Sequence, residues 1–134
     1  MLSLADYWIW DSWIADDGDA FHLYFLQAPR SLVDPGKRHT AAQLGHATST
    51  DLKWWTYQGI ALGPGPKGSW DDLALWTGST VLGDDGVWRM YYRQSPAPAA
   101  AFSTSASAWP NPTTSSVGGG WGIVPCWRRI RAGT

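Results

Sequence analysis

The sequence predicts an all-β protein, because its apolar residues cluster in short runs bounded by turn residues. Runs at 21–26 and 87–92 combine aromatic and aliphatic residues in the way typical of strands. Acidic, glycine-containing turns at 16–19 and 83–86 precede them, and Asp and Gly tolerate the left-handed backbone of tight turns. Each turn therefore predicts a hairpin. No segment has the periodicity of a convincing amphipathic helix.

These pieces recur in the same order, which indicates a repeat. A Trp-rich strand, an acidic Gly turn and an aromatic strand span residues 8–26 and again 76–92, with the two turns 68 residues apart. That spacing is close to one four-stranded propeller blade with insertions. Between the copies, residues 44–49 predict a third strand, and a fourth ends near 60–62. The sequence thus predicts a partial β-propeller of about one and a half blades.

Composition limits the function classes open to the chain. The 134 residues suffice for one small domain; 11 are tryptophan, and only 16% are charged, against roughly 25% in an ordinary soluble domain. A net charge of −1, with no Lys/Arg cluster in the first 120 residues, gives no electrostatic footprint for nucleic acid. We therefore expect no nucleic-acid partner.

The chain also lacks the signals of secretion and of membrane insertion. Its single cysteine, Cys126, cannot form an internal disulfide, and the first residues have neither the basic start nor the apolar run of a signal peptide. No stretch approaches the roughly 18 consecutive apolar residues of a membrane span. We expect a cytoplasmic protein without a membrane partner.

The chain changes character after residue 94. All eleven acidic residues are Asp, and none lies beyond Asp85. Residues 1–94 have the composition of ordered β-structure, whereas residues 95–134 form an irregular tail rich in Ala, Pro, Ser and Gly, of the kind usually found in flexible linkers. We therefore divide the chain into an N-terminal propeller portion and a low-complexity tail expected to be disordered.

Carboxylates lie beside indole rings in two motifs, Trp-Asp-Ser-Trp at 10–13 and Trp-Asp-Asp at 70–72, and a third Trp motif, Trp-Thr-Gly-Ser, follows at 76–79. An indole covers the C–H face of a sugar ring, while a nearby carboxylate accepts hydroxyl hydrogen bonds or acts on the anomeric carbon. This combination predicts a sugar site. Tryptophan is also common in β-sheet cores, so each ring has a structural explanation as well.

These motifs resemble those of the five-bladed β-propeller glycoside hydrolases, most closely families 32 and 68, with family 43 more distant. The likeness covers residues 6–92. In levansucrase-like members, Trp-Asp-Ser-Trp on the innermost strand of blade one carries the nucleophile, and Trp-Ser-Gly-Ser opens blade two. Here Thr77 stands where those enzymes usually have Ser. The motifs that carry the resemblance occur in the family's order: residues 10–13, 22–25, 45–47 with Ser49 and 51–52, and 76–79.

The resemblance implies that Asp11 is the catalytic nucleophile and that the partner is a furanoside-containing saccharide. Asp11 would attack the anomeric carbon with retention, or activate water with inversion if the family 43 likeness prevails. The alternative for Asp11 is a strand-end role that satisfies backbone amides. The residues expected to bind substrate are Trp10, Trp13, Trp76, Ser79 and Asp72, with Ser79 expected to hydrogen-bond Asp11.

Other polar residues carry weaker expectations. Asp71 and Asp72 are adjacent, so on a strand they would point to opposite faces, which favours loop roles for the pair. The three histidines fall at no metal-ligand spacing, and we expect neither a metal nor a cofactor. Arg30, Arg38 and His39 share a loop that could reach the pocket mouth, although a solvated loop is favoured.

Two carboxylates that the resemblance implies are missing. They are an Asp in an Arg-Asp-Pro motif and a Glu acid/base in later blades. Asp34-Pro35 follows Val33 rather than Arg, and the chain contains no Glu. We therefore expect a truncated hydrolase that is inactive alone and, with unpaired sheet edges, marginally stable.

A frameshift would explain the tail, which begins where blade two should continue. Back-translated with GC-rich codons, one shifted reading from the Ala101 codon restores Glu and repeats the pattern of residues 44–54. The hypothesis places the loss of frame between Tyr92 and Ala101.

Two other function classes stay open. One is a carbohydrate-binding β-module that uses Trp10, Trp13 and Trp76 as a stacking platform without chemistry. The other is a Trp-rich interaction domain with a disordered tail, in which the indoles belong to the core.

Overall fold

A computed structural model describes residues 2–68, 72–94, 115–117 and 121–128, and in them eight strands form two antiparallel sheets. This confirms the all-β prediction. No helix in the described part of the chain is long and apolar enough to cross a membrane. The strands are β1 (Tyr7–Asp16), β2 (Phe21–Pro29), β3 (Gln43–Ser49), β4 (Thr56–Leu62), β5 (Leu75–Leu82), β6 (Val87–Gln94), β7 (Ser115–Val117) and β8 (Trp121–Arg128).

The first sheet has the strand order β1-β2-β3-β4, so each strand pairs with its neighbour in the chain. The hairpin predicted between the first two strands is present. There the Oδ1 atom of Asp17 accepts hydrogen bonds from the amides of Asp19 (2.9 Å) and Ala20 (2.8 Å), and Gly18 has a φ of 90°. Aspartate and glycine therefore form this turn in the way their turn preferences predict. The sheet corresponds to one whole blade.

The second sheet has the order β5-β6-β8-β7 and is more complete than the half blade expected from the sequence. Its first hairpin is closed by the hydrogen bond from the amide of Gly83 to the carbonyl of Val87 (2.9 Å), and Gly86 has a φ of 74°. The last two strands come from the tail, which was expected to be irregular. Pairing of β8 with β6 covers a backbone edge that would otherwise be unpaired.

The remainder of the tail, including residues 95–114 on which the proposed loss of frame partly falls, lies outside the described residues. Two short 3-10 turns, Arg30–Leu32 and Pro35–Thr40, lie between β2 and β3.

The two sheets share one core. The amide of Leu75 donates to the carbonyl of Ala42 (2.9 Å), and the indole Nε1 of Trp13 donates to the hydroxyl of Thr80 (2.9 Å), so polar contacts also join the sheets. Each sheet also buries one apolar face against the other, and such burial stabilises neighbouring propeller blades. The buried core side chains are Tyr24, Leu26 and Leu44 from the first sheet and Leu75, Met90 and Tyr92 from the second.

The first sheet also has a tightly packed outer face. Gln27 is fully buried there, and its side-chain amide donates to the hydroxyl of Tyr57 (2.9 Å). Phe25 lies beside it, 2% exposed. A Cβ atom on Gly45 would overlap both the Phe25 ring and the Gln27 amide. Gly45 is therefore required by close packing and not by backbone conformation.

We expect Gly45→Ala to lower the free energy of unfolding by about 1 to 3 kcal/mol, the usual cost of overpacking a filled core. The buried Phe25 and Gln27 have little room to move away from an added methyl group. Gly63→Ala is the control, since a Cβ there meets no atom within 4 Å. Urea unfolding of both variants measures the difference, and equal midpoints would contradict the packing.

Candidate functional site

Asp11 lies at a β-bulge near the middle of β1. Trp10 pairs with Leu26 and Ser12 pairs with Phe25, so Asp11 has no residue opposite it on β2. Its φ is 38°, in the left-handed region that few residues other than glycine adopt, although Asp is among those that do. A bulge changes the direction of a side chain and recurs next to active sites. The irregularity therefore sets the direction of the Asp11 carboxylate.

A second bulge occupies the equivalent position of β5, 66 residues later. Trp76 pairs with Arg93 and Gly78 with Tyr92, which leaves Thr77 unpaired. A Cβ atom on Gly78 would overlap the carbonyl oxygen of Tyr91, so this bulge needs glycine at its second position. The repeated tetrapeptides of the sequence are thus repeated bulges in the structure.

The two bulges meet in a hydrogen bond. The Oγ1 hydroxyl of Thr77 donates to Oδ2 of Asp11 across 3.0 Å. Ser79 was the donor expected from the sequence, and the structure puts Thr77 in that role because the bulge brings Thr77 towards β1. Asp11 is exposed. Its carboxylate is therefore oriented by the second sheet and open to solvent.

The 3-10 turn Pro35–Thr40 forms a rim beside Trp10 and Trp76, the tryptophans that precede the two bulges. The indole Nε1 of Trp76 donates to the carbonyl of His39 (3.2 Å), and the His39 ring meets Trp10 edge-on at 6.1 Å between centroids. The guanidinium of Arg38 lies 5.7 Å from the centroid of the Trp10 ring, at cation–π distance. The loop is largely exposed, as the sequence favoured, and Arg38 and His39 both contact Trp10.

The rim is held by its own hydrogen bonds as well. The side chain of Asp34 accepts from the amide of Gly36 (2.8 Å), and Nη1 of Arg38 donates to the carbonyl of Pro35 (2.9 Å). No local sequence pattern indicates that this turn contacts Trp10, because the two lie on opposite sides of β2 in the chain.

An open cavity of about 440 Å³ lies on the second sheet. This volume falls within the range of small-molecule sites. Among the residues expected to bind substrate, Trp76 and Ser79 both line it. Tyr91 and Arg93 were not identified from the sequence, because nothing but the pairing of β5 with β6 places them there. The lining residues are Trp76, Thr77, Gly78, Ser79, Tyr91 and Arg93.

The other two residues expected to bind substrate have different contacts. The indole of Trp13 stacks on Tyr24, with 6.1 Å between ring centroids, and packs against the shared core. The exposed Asp72 carboxylate accepts a hydrogen bond from the amide of Gly68 (2.6 Å), which is a loop contact. Its neighbour Asp71 lies outside the described residues, as does Trp70.

His22 and His46 form a pair towards the β1–β2 hairpin end of the first sheet. The spacing of the histidines in the sequence did not predict this contact. Nδ1 of His22 lies 3.0 Å from Nε2 of His46, and Nε2 of His22 lies 3.1 Å from Oδ2 of Asp17. The His46 ring also stacks on Tyr24 at 4.8 Å. Register explains the contact, since His46 pairs with Tyr24, which lies two residues from His22 on the same face of β2.

Burial favours the neutral form of the His46 ring. Burial and the nearby His22 lower the pKa of His46 to about 4. Partial burial opposes the charged form of Asp17, but hydrogen bonds from the Ala20 and Asp19 amides and the contact with His22 hold its pKa below the usual value. Among the described side chains, no group of three or more His, Cys, Asp or Glu converges on a common metal position.

Comparisons with known proteins identify relatives of this chain. Residues 12–115 match the glycosyl hydrolases family 32 N-terminal domain. The raffinose invertase of Escherichia coli is 39% identical over 72 residues, which are 54% of this chain and 13% of that protein. The solved inulosucrase from Halalkalicoccus jeotgali, bound to kestose, is 30% identical with a TM-score of 0.58. That alignment covers 73% of this chain and 25% of the inulosucrase chain.

We expect the protein to lose stability as pH falls from 6.5 towards 4. In that interval the unfolded chain protonates His46 and the folded protein does not, so the proton favours unfolding. The loss is about 2 kcal/mol, less than the full pKa shift implies, because the ring is only half buried. Urea midpoints at neutral and acidic pH measure it. His46→Gln, which keeps an N–H donor for His22, should flatten the dependence; an unchanged pH profile would exclude this cause.

Proposed function

The chain belongs to the glycosyl hydrolases family 32 N-terminal domain family, and on this premise we propose that it supplies the nucleophile and part of the sugar pocket of a furanoside-processing site. The substrate class is a saccharide that contains a furanoside unit. The relatives support this class, since one is named a raffinose invertase and the other an inulosucrase bound to kestose.

The geometry of Asp11 carries the proposal. The bulge turns this carboxylate towards the second sheet, and the Thr77 hydroxyl holds Oδ2 at 3.0 Å. Because Thr77 holds Oδ2, the other carboxylate oxygen, Oδ1, is the one that attacks. A carboxylate held in a fixed orientation lowers the entropic cost of reaching the reactive geometry. In this role Asp11 forms a bond to the anomeric carbon as the glycosidic bond breaks.

We assign sugar recognition to the residues around the two bulges. Trp76 offers an indole at the cavity, and Ser79 and Arg93 offer hydrogen-bonding groups in the same lining. Arg38 lies over the ring of Trp10, so one face of that indole is already occupied. We therefore assign the stacking role to Trp76 first, and we assign Trp13 to the core that supports it.

A complete reaction also needs a proton for the leaving group. Glycosidases supply it from a second carboxyl group placed across the bond, and the resemblance of the sequence implies a Glu in that role. The 134 residues contain no Glu. We propose that this chain binds the sugar and carries the nucleophile but does not hydrolyse ordinary glycosides without further blades.

A carbohydrate-binding β-module without chemistry is the second candidate. The cavity favours it, because Trp76, Ser79, Tyr91 and Arg93 line a binding volume whether or not Asp11 reacts. The two candidates share sugar binding and differ in the chemistry of Asp11.

Sugar binding is measured by the intrinsic tryptophan fluorescence of the full chain titrated with sucrose and kestose. Saturable binding is expected, and Trp76→Ala should weaken it at least about tenfold, or roughly 1.4 kcal/mol, because the stacking surface is lost. Ile14→Ala is the matched control, since Ile14 is 51% exposed on the strand of Asp11 and outside the cavity lining. Equal loss in both variants, or no binding by the wild type, would contradict the assigned pocket.

The nucleophile is tested with a furanosyl fluoride, because fluoride leaves without protonation and so makes the missing acid unnecessary. Wild-type chain, quenched in acid after a short incubation, should gain the mass of one glycosyl unit on Asp11. Asp11→Asn should gain none. Peptide mapping by mass spectrometry locates the label. Binding without any label on Asp11 would favour the non-catalytic module.

A further inference from the structure

Trp54 stands apart from the other features of the first sheet. Its side chain is 81% exposed, although tryptophan is on average a largely buried residue. It lies in the turn between β3 and β4 and takes no part in the core or in the cavity described above. An indole in water offers a large apolar face to any partner that can cover it.

The turn that carries Trp54 is fixed by side-chain hydrogen bonds. Ser49 is 6% exposed, and its Oγ atom accepts from the amides of Asp51 (3.2 Å) and Leu52 (2.9 Å). Oδ1 of Asp51 in turn accepts from the amides of Lys53 and Trp54, both at 2.9 Å. These amide hydrogen bonds lower the pKa of Asp51, which keeps the carboxylate charged. A backbone held in this way loses little conformational entropy when a ligand binds.

The turn is remote from Asp11. Strand register puts Ser49 beside Phe21, at the end of the sheet where β1 finishes, whereas the rim at Pro35–Thr40 lies at the opposite end. From the rise per residue and the spacing between strands, Trp54 is on the order of 20 Å from Asp11. A sugar ring held at Asp11 cannot also contact Trp54, so any ligand of Trp54 binds at a separate place.

The size of this surface decides between kinds of partner. A tryptophan side chain offers about 150 to 250 Å² of area, whereas a specific protein interface buries about 800 Å² on each partner. One indole face does match one sugar ring, whose C–H face stacks on it while the hydroxyl groups point to the rim. That rim is mostly polar: Thr50, Asp51 and Lys53 are all exposed, and Leu52 between them is half exposed. The charges of Asp51 and Lys53 cancel, so the rim selects no charged polymer.

We propose that Trp54 is a second sugar-binding platform, separate from Asp11 and from the cavity on the second sheet, which holds a neutral polysaccharide chain by stacking on one of its rings. The platform needs no chemistry at Asp11. Its function is to keep a polymer at the protein surface.

The full 134-residue chain is run by affinity electrophoresis in native gels that contain soluble inulin, dextran or xylan. At least one polymer should retard the wild type, and Trp54→Ala should raise the apparent Kd at least about tenfold. Trp54→Phe, which keeps a smaller aromatic face, should recover part of the retardation. Ile60→Ala, on the neighbouring strand and 52% exposed, controls for loss of a general apolar surface and should leave the mobility unchanged.

Three outcomes would overturn the platform. The first is a wild type that no polymer retards, and the second is equal retardation of wild type and Trp54→Ala. In the third, sedimentation shows a dimer that Trp54→Ala dissolves, so that a second copy of the chain is the occupant. None of these depends on binding of sucrose or kestose at Asp11, so failure here is distinguishable from failure of the proposed function.

Discussion

The hydrogen bond between Thr77 and Asp11 joins two bulges, and the arrangement of the site depends on that junction. Each bulge leaves one residue without a cross-strand partner, Asp11 on β1 and Thr77 on β5. These two unpaired residues meet across the boundary between the sheets. The bond forms only if the sheets pack at the correct distance, and that distance is set by the core of Leu44, Leu75 and Tyr92. Apolar burial thus positions a polar group that is itself exposed.

The same packing explains how the tryptophans divide their roles. Trp13 points between the sheets, where it stacks on Tyr24 and donates to Thr80. Trp10 and Trp76 lie nearer the rim, where the turn Pro35–Thr40 contacts both. One residue type therefore serves both in the core and in the cavity lining: Trp10 and Trp13 pack against the core, and Trp76 lines the cavity.

The electrostatics of the two ends of the first sheet differ. At the rim, the guanidinium of Arg38 lies over the ring of Trp10. At the far end, half-buried His46 is kept neutral near neutral pH by the loss of hydration. The exposed indole of Trp54 lies in the turn between β3 and β4, at the same end of the sheet. The sheet thus separates the solvent-facing site around Asp11 from the stacked histidine pair and a surface aromatic.

The first six strands, the Asp-Gly hairpins and the repeat were determined by the sequence alone, because strand composition and turn chemistry are local properties, whereas the two strands of the tail were not predicted. A contact between Asp11 and the second Trp-containing motif was implied by the resemblance to the glycoside hydrolases, with Ser79 as the expected donor. Tertiary structure alone decided that Thr77 and not Ser79 contacts Asp11, since a bulge reverses side-chain direction without a local signal. Packing likewise decided the contact of Arg38 and His39 with Trp10 and the meeting of His22 with His46. These contacts join residues on different strands, and only the register of the sheet and the burial of the shared core bring them together.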